Sequence, residues 1–331
     1  MRALFVVAGL IGCGGAGTKS GGGVDAPPVA DGAGPFFESP MFFNRDVSAA
    51  TPSPRSAAMI ASLRAAGGWG NGDRMHIDFS FDVLGSDAAT PMRSFSTTGD
   101  FYEPDCDHVD VPVPEGGNIE GETGYECTTG GDCHLIVHDR ANGKLYEMWR
   151  ANIQGSSFKG GCLAVWNTKA PYGDTLRGEQ CTSADAAGFP IAPLLFTADE
   201  VAAGEIKHAI RFILPNNRIR RGYTRPATHG TDTTGGPTAP PYGVHFRLRA
   251  DYPVDTLPSE GARVVARALQ KYGMYHADGG NIALTAQSDR HTTAKWAGLI
   301  RPQDLYALKV EDFDVIDQGA MITLTLDCAR N

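Results

Sequence analysis

The sequence predicts a mainly β fold: a β-sandwich of jelly-roll type with one or two short packing helices, and a compact β-barrel as the alternative. Three observations carry this expectation. "HIDFSFDVL" (76–84) alternates apolar and polar residues at the two-residue period of a half-buried strand. "HLIVHDRANGKLYEMWRA" (134–151) sets Asn142-Gly143, a two-residue hairpin signal, between two alternating runs. Only two stretches carry clear helix signals, and Pro- and Gly-rich loops separate the rest.

Taken in chain order, "MRALFVVAGLIGCGG" begins with Arg2, continues through an apolar run and reaches Cys13. That is the order of an export signal, and the apolar run falls short of the roughly 20 residues needed to span a bilayer. "LIGC" resembles the bacterial lipobox, so residues 1–12 are expected to be a lipoprotein signal peptide and Cys13 the lipidated residue. An ordinary signal peptide cut elsewhere is the alternative. Residues 13–36 are rich in Gly, Ala and Pro, which suits a flexible tether. No acidic residue follows Cys13, which favours the outer membrane, periplasmic or cell-surface exposed, with the lipid as the only membrane contact. Residues 37–331 then form a single globular β-rich domain, with no second linker to divide it.

Within that domain, Ile77, Phe79, Phe81 and Val83 share one face of the first strand. "GCLAVWNT" (161–168), "KHAIRFIL" (207–214), "GVHFRLRAD" (243–251) and "MITLTLD" (321–327) read as further strands. Thr197-Ala198-Asp199-Glu200 matches a capping box, opening a short helix that stops at Gly204. "SEGARVVARALQKYG" (259–273) is the second helix, capped by Ser259 and ended by Gly273. Val264, Val265, Ala268, Leu269 and Tyr272 share its apolar face.

Of seven Cys, six remain once Cys13 is set aside, and an even count in an exported chain implies disulfides. Cys127–Cys133 closes the polar "TTGGD" loop; Cys162–Cys181 and Cys106–Cys328 are the expected companions. Zinc is disfavoured, because there is no CxxC and no Cys/His ligand spacing. No cofactor is expected. Asp105, Asp107 and Asp110 in "DCDHVD" could hold a structural calcium, but their spacing departs from an EF-hand loop.

A formal charge of -9 and a pI near 5.5 argue against a nucleic-acid partner, whose affinity rests on Lys and Arg. GxSxG, HExxH, the P-loop and the dinucleotide fingerprint are all missing. Candidate chemistry gathers instead in "EQCTSADAAGFPIAPLLFTADEVAAGEIKHAIRF" (179–212). There Glu200 and Asp199 are explained by the helix start, while Asp185 sits unaccounted for among small residues. His208 falls on an apolar face with Ile206, Ile210 and Phe212, either a core histidine or one lining a groove.

The segments "CTSADAAGFPIAPLLFTADEVAAGEIKHAIRF", "YGVHFRLRAD" and "ARALQKYGMYHAD" resemble a recurring group of exported bacterial proteins, over roughly residues 130–280. The resemblance implies no catalytic assignment.

The sequence thus leads to a surface lipoprotein acting on a polysaccharide, as a glycoside hydrolase or a lyase. Asp185 and Asp278 are candidate carboxylates with Glu205 in reserve, and His208 or His229 a base. Arg211, Arg247 and Tyr223 are candidates for an anionic sugar, and Trp149 and Trp166 for flat stacking surfaces. A non-catalytic module binding a glycan or another cell-surface ligand is the second expectation. Neither points to an oligomeric state.

Overall fold

The structure, a computed structural model, describes residues 35–331. The signal peptide, Cys13 and nearly all of the tether lie outside these residues. Of the tether only Pro35 and Phe36 are described, and the Phe36 ring packs on His138 with centroids 5.0 Å apart.

The described residues are mainly β and sandwich-like, with no closed barrel among them. Ten strands build two principal sheets: β1 (Ile77–Phe81), β2 (Val83–Gly85), β3 (Leu135–Asp139), β4 (Lys144–Trp149), β5 (Cys162–Asn167), β6 (Ile210–Leu214), β7 (His245–Leu248), β8 (Met274–Gly279), β9 (Leu284–Gln287) and β10 (Phe313–Ile316). The larger sheet runs β1-β9-β6-β8-β7-β10 and the smaller β5-β4-β3-β2. Pairing is mixed: β1/β9, β6/β8 and β2/β3 are parallel, and the other neighbours antiparallel. Parallel pairs need long crossovers, and the chain supplies them as loops and short helices.

The main core lies between the sheets. Ile136, Leu145 and Trp166 of the smaller sheet join Ile77, Phe212 and Phe246 of the larger one in one buried cluster. The alternate residues Leu135, Val137, Tyr146 and Met148 face the other way, into a second cluster with Val111, Ile119 and Phe158. Side chains alternate across a strand, so one hairpin serves two cores. Each such Leu or Phe contributes about 1.5–3 kcal/mol by leaving water.

A hairpin forms at the expected place, but Asp139 pairs with Lys144 across a four-residue loop instead of a two-residue turn, and Gly143 takes the left-handed φ of 64°. Both expected helices are present. α2 (Ala198–Ala203) has the full capping box: Thr197 accepts from the Glu200 amide and Glu200 accepts from the Thr197 amide. α3 (Glu260–Lys271) is capped by Ser259 and buries the anticipated face.

Other expectations are corrected. The strand placed at 207–214 begins only at Ile210, because Gly204, at φ 84°, is followed by a turn in which the Ala209 amide donates to Phe43. No strand forms over 321–327, where Leu326 is left-handed and pairing is limited to Ile322 with Tyr223. The first strand shifts register between Asp78 and Phe81 and ends there, and Val83, after Asp82, starts a strand of the other sheet. β8, β9, β10 and helix α1 (Ser56–Ala65) were not anticipated.

Three disulfides form, but only Cys127–Cys133 is paired as expected. Cys106–Cys162 and Cys181–Cys328 replace the other two. The reason is tertiary. The Asp107 amide donates to Leu163, bringing Cys106 beside β5, and Gly178–Glu179 pairs with Ala329–Arg330, bringing Cys328 beside Cys181. Two of the three calcium candidates are engaged otherwise: Asp105 accepts from the Thr182 amide, and Asp107 pairs with Arg177 and Arg330.

Candidate functional site

At one end of the larger sheet, the loop 181–189 is folded over the ends of β6 and β8. Ser183 ties its two sides together, donating to the Phe189 carbonyl at 2.6 Å and accepting from the Asp185 amide at 3.0 Å. Thr228 donates to the Cys181 carbonyl, and the Ala187 amide donates to Ala277 on β8. Gly188 is required here: it is left-handed, and a Cβ would lie 2.1 Å from Thr228 Oγ1. The result is that Asp185 is placed beneath the loop, against β6.

There Asp185 is fully buried and meets Arg211 of β6. Arg211 Nε donates to Asp185 Oδ1 at 2.8 Å, Nη1 to Thr285 and Nη2 to Asp278 Oδ2 at 3.2 Å, while Phe81 lies 5.3 Å from the guanidinium. Nη2 also lies 2.8 Å from Asp185 Oδ1. Two carboxylate oxygens sharing one nitrogen at these distances are at most about 6 Å apart, within reach of the short separation of retaining glycosidases. Burial pushes the Asp185 carboxyl up to about 7 despite Arg211. Its Oδ2 has no partner. Burial also raises Asp278, against Arg211 and the Gly279 amide, which hold it down.

Asp185 and Asp278 line a cleft of about 330 Å³ together with Trp149, Tyr102, Tyr242 and His229. Tyr102 lies 6.2 Å from Trp149 and 6.4 Å from His229, ring to ring. The Trp149 indole donates to Asp132 at 2.5 Å. His229 Nδ1 faces the Ala186 carbonyl at 2.9 Å, which can only accept, so Nδ1 carries the proton and Nε2 keeps its lone pair. Burial lowers the His229 pKa, keeping the ring neutral.

Behind the cleft, His134 Nδ1 lies 2.6 Å from Glu120 and Nε2 3.1 Å from the Ala184 carbonyl. Both partners are acceptors, so the ring is an imidazolium; Glu120 outweighs burial and lifts it to about 9. It fixes Ala184, one residue before Asp185. Glu147, also fully buried, accepts from the Ile191 and Ala192 amides and from Trp166, and burial raises it to about 7.

The cleft therefore gathers Asp185, Asp278, His229 and Trp149, with Arg211 directly beneath. The remaining candidates lie elsewhere. His208 and Glu205 border a second, larger cleft of about 640 Å³. His208 is not on a strand: its ring is buried, Nδ1 donating to Ala209 and Nε2 sitting 3.2 Å from Glu200 Oε1. Tyr223 is buried and donates to Glu179, which also holds Arg225. Arg247 spends its guanidinium on the Val47, Ser48 and Ala50 carbonyls and on Asp314. Trp166 is a core residue on Glu147. Tyr102, Asp132 and Tyr242 were missed; they stand in irregular loops with no period to single them out.

Fold and site define a β-rich, disulfide-braced domain whose cleft combines aromatic walls with a carboxyl pair. No known protein family, curated protein or solved structure matches the chain.

Proposed function

We propose that this is an exported, lipid-anchored protein that hydrolyses a glycan in the Trp149 cleft. The observation that carries the reading is the Asp185–Asp278 pair, held through a shared arginine beside aromatic faces. In this reading Asp185, with its raised pKa and unpartnered Oδ2, donates a proton to the glycosidic oxygen. Asp278, whose burial-driven rise Arg211 opposes, attacks the anomeric carbon as its carboxylate; water then hydrolyses the glycosyl ester, giving its proton back to Asp185 and freeing the Asp278 carboxylate. Trp149 and Tyr102 supply flat faces for the sugar ring.

A lyase acting on an acidic sugar has less support, because Arg211 and Arg247 are committed to internal partners. A non-catalytic glycan-binding module is favoured by one observation: Asp185 exposes no surface in this conformation.

The test is a screen of polysaccharides that reads reducing ends alongside absorbance from unsaturated products. Asp278→Asn should lower hydrolysis by about 10²-fold or more while melting stays within a few degrees. Binding without turnover in the wild-type protein would leave the module reading.

Export is supported by the three disulfides, which persist in oxidising compartments. Anchoring rests on the "LIGC" sequence. Cys13→Ser should release the protein from membranes, and unchanged retention sinks the anchor.

A further inference from the structure

We propose that the Trp149 cleft selects a glycan bearing free amines, a polymer of de-acetylated hexosamine. This rests on the glycan reading and names its substrate class. Four aspartates, Asp132, Asp185, Asp232 and Asp278, line the cleft, and no Lys or Arg does. His229 adds no charge, because its Nδ1 proton is given to Ala186 and the ring is neutral. Three arginines lie nearby and, with the His134 imidazolium behind the cleft, offset part of this charge. Arg211 is shared between Asp185 and Asp278, Arg221 pairs with exposed Asp232, and Arg150 pairs with Asp100 while covering the Trp149 ring at 5.3 Å. Asp132 forms no ion pair; its hydrogen-bond partner is the neutral Trp149 indole, and only the His134 imidazolium behind the cleft offsets its charge from a distance.

Asp185 is the second, independent observation. It is fully buried, lines the cleft, and its Oδ2 has no hydrogen-bond partner. Buried polar atoms are nearly always satisfied, and this one is left for a ligand: in the glycan reading its proton meets an acceptor oxygen of the sugar. A bare metal ion does not fit: among the described residues, the cleft's aspartates do not bring three ligand oxygens within 4.8 Å of one another. A larger cation spread along a sugar chain does. Its ammonium groups would pair with the Asp132 and Asp278 carboxylates, and its pyranose faces suit Tyr102 and the open side of Trp149.

Calorimetric titration of the whole chain with three β-1,4-linked tetrasaccharides tests this: glucosamine, N-acetylglucosamine and glucose. The free-amine oligomer should bind roughly tenfold tighter than either of the others, the scale of one charge-assisted hydrogen bond. Asp132→Asn, which leaves the carboxyl pair intact, should cut that preference several-fold with unchanged melting. Equal or tighter binding of the acetylated or neutral oligomer overturns the amine inference and leaves the glycan reading standing. Failure of all three to bind a folded protein overturns both.

Discussion

Arg211 donates to Asp185 across a fully buried contact of 2.8 Å, and the same nitrogen reaches Asp278 at the cleft. One guanidinium on a central strand thus joins a core carboxyl to one that is 30% exposed. Burying three ionisable groups is costly, and the arrangement persists because every guanidinium nitrogen has an acceptor.

Arg211→Met leaves Asp185 buried without its cation and should destabilise the fold by about 3–5 kcal/mol. Adding Asp185→Leu should recover a large part of that loss. Chemical denaturation of the two single variants and the double variant measures the coupling; additive losses would show that the pair is not held together.

Glu200 splits its carboxylate: Oε2 completes the helix cap and Oε1 meets His208. The two partners move oppositely, His208 raised and Glu200 lowered, each chiefly by the other once burial is set aside. His208→Gln should cost about 1–3 kcal/mol through an imperfectly satisfied buried group and leave glycan turnover intact. A stable variant with lost turnover would instead return His208 to the site.

His134 gives a signed pH dependence. Its folded pKa, about 9, lies above the ordinary 6.5, so its contribution to stability is complete below about 6.5 and is lost as pH rises through 9. Unfolding measured across that window should show a decline of about 1–3 kcal/mol that His134→Gln flattens. Because His134 holds Ala184, hydrogen exchange of the 183–187 amides should quicken over the same range.

The sequence by itself determined whatever depends on near neighbours along the chain. The capping box at Thr197, the apolar face of 260–271 and a hairpin around Asn142-Gly143 are set by the three-, four- and two-residue periods; the first two formed as expected, while the hairpin closed with four loop residues instead of two. Cys127 and Cys133, six residues apart, paired for the same reason. Asp185, Asp278 and Arg211 could be named as candidates, because a charge surrounded by small or apolar residues is conspicuous in one dimension.

Only the tertiary structure decided which of them meet. Arg211 was a candidate for holding an anionic sugar, yet the loop over β6 covers it and makes it the link between two carboxyls. His208 and His229 looked equivalent in sequence and separate into two different clefts. Cys181 found Cys328 at a sequence separation of 147, because a short ladder of Gly178–Glu179 with Ala329–Arg330 brings them together. Such pairings rest on contacts between distant segments, whose energy depends on how whole sheets pack and leaves no local period to read.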